Sequence, residues 1–138
     1  MKDLVHKTFI SSTFSDESLK LNDFLRDSVS ATINVSDFYY IGLYKPFKDI
    51  YLEFVTADTN TPTATYEYHN GTTWVDLPNL KDDTQGFQRD GFIRWDFDDN
   101  SQITESWKEV AVDSDTLYWI RISFDVAVTF DLIGLYRS

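Results

Sequence analysis

The sequence predicts an all-β protein: an antiparallel β-sandwich, jelly-roll-like, with about eight strands and a less regular N-terminal arm. Aromatic residues make up 17% of the 138 residues, and such residues favour strands and supply large buried area. Short runs of alternating apolar and polar residues recur between turn residues, as half-buried strands require. Since no helical pattern separates most of these runs, a sandwich is favoured over an α/β fold.

The first quarter of the chain is less regular than the rest. Residues 1–27 are expected to form an arm or a short irregular segment, and residues 28–138 a single β-sandwich domain. Residues 8–10 fit a short first strand. The apolar residues within 19–25 half fit a helical stripe, so a short helix and an extended arm remain alternatives there. Alternation over residues 29–35 predicts a strand with one buried face.

Two strands and a hairpin are predicted in the middle of the chain. Residues 38–44 and 49–56 alternate or run apolar and are bounded by polar or proline-containing turns. Residues 65–77 predict a β-hairpin around Asn70-Gly71, because that dipeptide suits a two-residue type I′ turn with positive φ at both central positions.

The C-terminal third contains a short strand at residues 91–95, a long acidic stretch at 96–109, and two strong strands at 117–124 and 126–136. Trp107 interrupts the acidic stretch, and we expect it to fold back onto the protein. The sequence indicates one core anchored by all four tryptophans. These are Trp74, Trp95, Trp107 and Trp119.

Charge and composition restrict the partners. Lys and Arg total 12 against 23 Asp and Glu, a formal net charge of −11. A field of that sign repels phosphate and anionic lipid, and no local basic patch is visible, so neither nucleic acid nor a membrane is expected as a partner. Cysteine is absent, which leaves the compartment open. The N-terminus lacks a signal peptide pattern and no apolar run is long enough to span a membrane, so we expect a soluble protein.

One acidic segment could bind a metal. Asp96, Asp98 and Asn100 place oxygen ligands at alternate positions, like the opening of a calcium loop. The sixth position is Ser101 where an EF-hand has glycine, and the twelfth is Trp107 where it has a bidentate glutamate. A solvated acidic loop is therefore favoured over a calcium site, and no cofactor is predicted.

Catalytic chemistry is not indicated. The two histidines, His6 and His69, lie in different contexts, whereas a zinc site or a hydrolytic triad needs converging groups. With no cysteine and two scattered histidines, a zinc site is strongly disfavoured. Carboxylates are plentiful, but a glycosidase needs two at a defined separation across a cleft, which a sequence does not reveal. The scattered glycines form no phosphate-binding loop. We therefore predict no catalytic residues and no enzymatic activity.

Several aromatic residues could instead stack on sugar rings, with Asp and Asn accepting hydroxyl hydrogen bonds. The favoured interpretation is that most of these rings are core. The set comprises Tyr39, Tyr51, Tyr66, Trp74 and Trp119.

The order of several motifs resembles a known module. The chain is similar, over about residues 38–125, to a β-sandwich module of virion proteins from tailed bacteriophages, in which an aromatic, Asn-Gly, Trp hairpin precedes a Gly-aromatic-Trp strand and a Tyr-Trp-Ile-Arg strand. The matching segments are residues 39–42, 65–77, 91–95, Trp107 and 118–122.

The resemblance implies a non-enzymatic structural protein located in the virion, as a capsid decoration, neck, or tail and baseplate component. It would bind other virion proteins as a homo-oligomer or symmetric array, with residues 1–27 as the expected contact arm. The alternative is a carbohydrate- or host-receptor-binding module, in which exposed rings near the hairpin and the acidic loop contact a glycan.

Overall fold

The computed structural model describes residues 4–10, 13–16, 29–57, 62–95 and 107–137. These residues form twelve β-strands and no α-helix, and they contain no helix long and apolar enough to cross a membrane. The strands are β1 (Val5–Ile10), β2 (Thr13–Asp16), β3 (Val29–Ile33), β4 (Phe38–Leu43), β5 (Asp49–Thr56), β6 (Ala64–His69), β7 (Trp74–Asp76), β8 (Lys81–Asp82), β9 (Gly91–Arg94), β10 (Val110–Val112), β11 (Asp115–Phe124) and β12 (Val128–Tyr136). The predicted all-β class is confirmed.

The strands form two antiparallel sheets packed face to face. The larger sheet has the order β2-β1-β4-β11-β6-β7, with β10 also paired to β11, and the smaller sheet has the order β3-β12-β5-β9-β8. Eight of the strands define the topology, and we number them one to eight in chain order: β3, β4, β5, β6, β7, β9, β11 and β12. In this numbering the smaller sheet has the order 1-8-3-6 (β3-β12-β5-β9), and the larger sheet has the order 2-7-4-5 (β4-β11-β6-β7). This is the jelly-roll arrangement, so the predicted jelly-roll-like sandwich is confirmed.

The remaining strands extend the two sheets. Of these, β2, β8 and β10 have four, two and three residues. Runs that short contain too few residues for alternation to be recognised in the sequence.

The core lies between the sheets and is rich in rings. The Tyr39 ring of the larger sheet stacks on the Phe130 ring of the smaller sheet, with centroids 5.9 Å apart and planes 6° apart. Phe87, from the connection between β8 and β9, packs edge-on against Phe130 at 5.1 Å. Ile120 and Ile122 of β11 point into the same core and are fully buried. The loops therefore complete a core that the alternating strand residues begin.

The four tryptophans do not share this core. Trp95 and Trp107 belong to it, with ring centroids 6.2 Å apart. Trp119 belongs instead to a second apolar cluster on the outer face of the larger sheet, against which Trp74 packs. The expectation of a single core is wrong for these two residues, because side chains alternate along a strand and Trp119 points away from the face that Ile120 lines.

The N-terminal segment contributes to the larger sheet. Residues 5–10 pair with β4, and residues 13–16 pair back onto them. The described part of the expected arm is thus a hairpin of the sandwich. The full length of β1 could not be predicted from the sequence, because three consecutive polar residues, His6, Lys7 and Thr8, are buried there. The alternatives considered for residues 19–25 lie outside the described residues.

The predicted hairpin is present, but its turn is of another kind. The last residue of β6 pairs with the first of β7, so residues 70–73 form a four-residue loop in which Gly71 alone has positive φ, 98°. The Asn70 Oδ1 accepts hydrogen bonds from the backbone N–H groups of Thr72 and Thr73, both at 2.9 Å. This side-chain acceptor stabilises the longer loop, and the type I′ prediction is wrong.

A two-residue turn with positive φ at both positions occurs elsewhere, between β10 and β11. Asp113 and Ser114 have φ of 48° and 74°, and the flanking Val112 and Asp115 are paired. These are the backbone angles of a type I′ turn.

Replacing Ser114 with glycine is expected to stabilise the fold by about 0.5–1 kcal/mol. A side chain costs about 1–2 kcal/mol in the left-handed region, and part of the gain is offset by the greater freedom of glycine in the unfolded chain. Urea denaturation measures the difference, with Ser114→Ala as the matched control that keeps a Cβ. A Ser114→Gly protein less stable than wild type would contradict the assignment.

Candidate functional site

Aromatic side chains cover the outer face of the larger sheet. We call this surface the aromatic face; it consists of Phe9, Phe14, Phe38, Tyr40, Trp74 and Trp119. The rings touch in sequence: Phe9 and Phe14 have centroids 4.7 Å apart, Phe14 and Tyr40 5.7 Å, and Tyr40 and Trp74 5.8 Å. Outer faces of antiparallel sheets commonly carry polar residues facing water. This sheet instead carries rings on both faces.

An arginine organises the centre of the aromatic face. The guanidinium carbon of Arg121 lies 4.4 Å from the Phe38 ring centroid and 4.7 Å from that of Trp74. Its Nε donates a hydrogen bond of 2.9 Å to Glu67 Oε1. Both charged side chains are partly buried, 22% and 18% exposed, so stacking and the ion pair together fix the guanidinium in place.

The titration of two neighbouring groups reflects this environment. Burial raises the pKa of Tyr40, although its hydrogen bond with Arg121 acts in the opposite direction. Burial and the Arg121 charge lower the pKa of His69, whose ring contacts Trp74 edge-on at 5.2 Å. The His69 Nδ1 accepts a hydrogen bond of 3.0 Å from the Gly71 N–H, which a neutral ring can do.

The lowered pKa of His69 predicts a specific loss of stability in mild acid. Because the folded protein resists protonation of His69 while the unfolded chain accepts a proton near pH 6.5, stability falls as the pH decreases below that value. Urea titrations at pH 7 and pH 5 should therefore show a larger decrease for wild type than for His69→Gln. Equal decreases in the two proteins would contradict this.

Trp119 occupies the most enclosed position of the aromatic face. Its side chain is fully buried, and its Nε1 donates a hydrogen bond of 3.1 Å to the Asp115 carbonyl. The ring lies directly over Gly42, where an added Cβ would be 2.5 Å from Trp119 Cε3. Glycine at this position of β4 is what allows the ring to lie flat on the sheet.

A buried lysine lies at one end of the aromatic face. Lys7 is 2% exposed, and its Nζ lies 2.6 Å from Asp115, 3.1 Å from Asp113 and 4.0 Å from Asp16. Burial acts to lower the pKa of Lys7, but hydrogen bonds to Asp115 and Asp113 outweigh it and the pKa is raised above 10.5. The charged lysine therefore ties the β1–β2 hairpin to the β10–β11 turn.

The outer face of the smaller sheet carries a row of charged side chains. Lys81 of β8, Arg94 of β9 and Asp49 of β5 form one row across the sheet, because Arg94 pairs with both neighbours. A cavity of about 380 Å³ opens beside this row. It is lined by Lys48, Asp49, Asn79, Lys81, Arg94 and Trp95.

A second cavity of about 290 Å³ adjoins the first and is lined by Tyr51, Phe92, Tyr136 and Arg137. Arg94 connects the two, since its guanidinium carbon lies 4.3 Å from the Phe92 ring centroid. We call the two cavities together the cationic groove. It combines three half-buried rings with four basic side chains.

The sequence contains one candidate metal-binding segment and two histidines. Asp96, Asp98 and Asn100 lie outside the described residues. Within the ranges that are described, no three His, Cys, Asp or Glu side chains are grouped to hold a metal ion. His6 lies on the core side of the larger sheet, hydrogen-bonded through Nδ1 to the Tyr39 hydroxyl at 2.8 Å, whereas His69 lies on the outer side. The sheet separates them.

The five rings considered for sugar stacking divide into two groups. Tyr39 and Tyr66 are buried in the core between the sheets, and Trp119 is buried in the outer cluster. Tyr51 and Trp74 are half-buried. Trp74 packs against Arg121 within the aromatic face, and Tyr51 lines the cationic groove.

Sequence reasoning missed the cationic groove, and the expectation of no local basic patch is wrong. Its basic residues are widely separated in the chain: Lys48, Lys81, Arg94 and Arg137. The strand register brings Lys81 and Arg94 together, and Lys48 and Arg137 line the same two cavities. Strand β8 has only two residues, which is too short for its pairing with β9 to be predicted from the sequence.

Neither a protein-family model nor a curated protein matches this chain. What the two outer faces can supply is binding, since rings provide apolar contact area and charges provide orientation.

Proposed function

We propose that this protein is a non-enzymatic structural protein of a tailed-phage virion, a capsid decoration, neck, or tail and baseplate component, that works by binding other virion subunits. The observation that carries the proposal is the aromatic face, a sheet surface covered with rings on the side away from the core. Four of its six rings, those of Phe9, Phe14, Phe38 and Trp74, are half-buried and partly open to a partner. Aromatic residues and arginine are enriched in protein–protein interfaces.

The fold agrees with this proposal. The jelly-roll order occurs in viral capsid proteins and in lectins, so it supports both the virion function and the carbohydrate-binding alternative. Fold alone is an analogy and does not choose between them. The ordered motifs that resemble the phage module favour the former.

Quantitative mass spectrometry of purified phage particles tests the location. The protein should be present at a copy number that matches a symmetric ring or the capsid lattice. Its absence from particles that contain all other structural proteins would contradict the proposal.

A variant of the aromatic face tests the surface. Phage carrying Trp74→Ala should incorporate less of this protein into particles than wild type, because a ring at the contact is lost. Tyr44→Ala is the matched control, since Tyr44 is 65% exposed and lies outside the aromatic face. Circular dichroism of the purified variants confirms that both are folded. Equal incorporation of the two variants would exclude this face as the contact.

The carbohydrate-binding alternative has one specific observation in its favour, the apolar cavity of about 290 Å³ beside Tyr51. Sugar rings stack on such side chains. A glycan array would favour this function if it showed saturable binding that Tyr51→Ala abolishes and Trp74→Ala preserves.

A further inference from the structure

The cationic groove on the smaller sheet and the aromatic face on the larger sheet carry opposite charge. In and beside the groove, register and shared cavities place four basic and two acidic side chains, a net charge of +2, while Asp131 lies on the same sheet face beyond the groove. The six side chains are Lys48, Lys81, Arg94 and Arg137 with Asp49 and Glu53. On the face of the larger sheet, ion pairs and register place two basic and five acidic side chains, a net charge of −3. These are Lys7 and Arg121 with Asp16, Glu67, Asp76, Asp113 and Asp115.

We propose that copies of this chain associate head to tail, the cationic groove of one copy resting on the aromatic face of the next. The inference rests on the proposed function and names one partner in it, a second copy. Because the two faces lie on opposite sides of the sandwich, each copy can contact two neighbours. A contact between different surfaces of identical subunits generates a ring or a filament.

Charge selects this arrangement over the alternatives. The net charge of −11 makes identical copies repel one another, so a contact that joins surfaces of opposite sign is favoured. The cationic groove and the aromatic face are such surfaces. Two grooves facing each other, or two aromatic faces, would place like charges together, which weakens binding strongly.

The side chains at both faces are suited to a contact. Arg94 is stacked on Phe92, and Arg121 is held between two rings by Glu67. Pre-positioned arginines lose little freedom on binding. Half-buried rings, among them Tyr51 and Trp74, supply apolar area at each face.

Two variants separate the faces. Arg94→Glu reverses a charge in the groove and leaves the aromatic face unchanged, while Trp74→Ala removes a ring from the aromatic face and leaves the groove unchanged. Analytical ultracentrifugation over a concentration series should show self-association of wild type. We expect each variant alone to associate about a hundredfold more weakly or worse.

Mixing the variants provides the decisive result. The intact groove of Trp74→Ala should bind the intact aromatic face of Arg94→Glu, giving a one-to-one dimer that does not grow further. Lys45→Glu is the control for charge, since Lys45 is exposed and belongs to neither face, and it should associate like wild type. Phe14→Ala replaces Trp74→Ala if circular dichroism shows that the latter is unfolded.

Several results would overturn the inference. They are a wild-type protein that stays monomeric, an Arg94→Glu protein that associates like wild type, and a mixture that gives no dimer. Glycan binding by a monomeric protein, lost in Tyr51→Ala, would make the groove a sugar site. If the protein is monomeric but present in particles, self-association is overturned and the virion function is not. If it self-associates but is absent from particles, only the virion function is overturned.

Discussion

Replacing Trp107 with alanine is expected to lower the free energy of unfolding by about 3–5 kcal/mol. The side chain is fully buried, and ring centroids of Phe47 and Tyr118 lie 5.0 and 5.9 Å from its own. Its Nε1 donates a hydrogen bond of 3.3 Å to the Trp119 carbonyl. Truncation therefore removes a large apolar group and leaves a cavity surrounded by rings that belong to different elements.

Urea denaturation followed by circular dichroism measures this loss, and two further variants sharpen it. Trp107→Phe keeps most of the apolar volume but loses the N–H group and part of the fused ring, so it should cost about half as much or less. Tyr44→Ala truncates a ring that is 65% exposed and should change stability by less than about 0.5 kcal/mol. A Trp107→Ala protein as stable as Tyr44→Ala would show that this ring does not anchor the core.

The position of Trp107 illustrates what the sequence can predict. A large ring within an acidic, polar stretch has few favourable positions except in contact with the core, and the expectation that it packs is confirmed. The main strands were predictable because β5, β11 and β12 are eight residues or longer, which is long enough for apolar and polar alternation to be recognised in the sequence. The number and spacing of such runs predicted a jelly-roll-like sandwich, and the order of the strands in each sheet is seen only in the structure.

Contacts between distant residues explain what the sequence could not reveal. Lys7 is buried because carboxylates distant in the chain neutralise it, Asp115 at 2.6 Å and Asp113, which lies 106 positions away and accepts its hydrogen bond. A lysine in the middle of a run otherwise indicates solvent exposure, which made β1 look irregular. Likewise, Asn70-Gly71 fits a type I′ turn by propensity, but the Asn70 side chain hydrogen-bonds the loop and selects another conformation.

The candidate site was harder to predict than the fold for the same physical reason. Which rings face outward depends on which of the two strand faces meets the other sheet, and a shift of one residue exchanges them. Trp119 and Ile120 are adjacent, both fully buried, and lie in different clusters. Composition could not distinguish a ring in the core from a ring on the aromatic face.

Replacing Trp119 with alanine is expected to be as costly as the change at Trp107, about 3–5 kcal/mol, although Trp119 lies outside the main core. It is fully buried beneath its neighbours, with the Tyr40 ring edge-on at 6.3 Å. The measurement is again urea denaturation. A cost below about 1 kcal/mol would mean that the outer cluster contributes little to stability.

Gly42→Ala gives this prediction a second, independent test. An added Cβ would lie 2.5 Å from Trp119 Cε3, so Gly42→Ala alone should cost about 1–3 kcal/mol through overpacking. In the Trp119→Ala background that contact no longer exists, and the methyl group fills part of the vacated space. The double variant should therefore be at least as stable as Trp119→Ala, a coupling of about 1–3 kcal/mol. Additive costs would contradict the close approach of ring and glycine, because only a shared contact makes one substitution relieve the other.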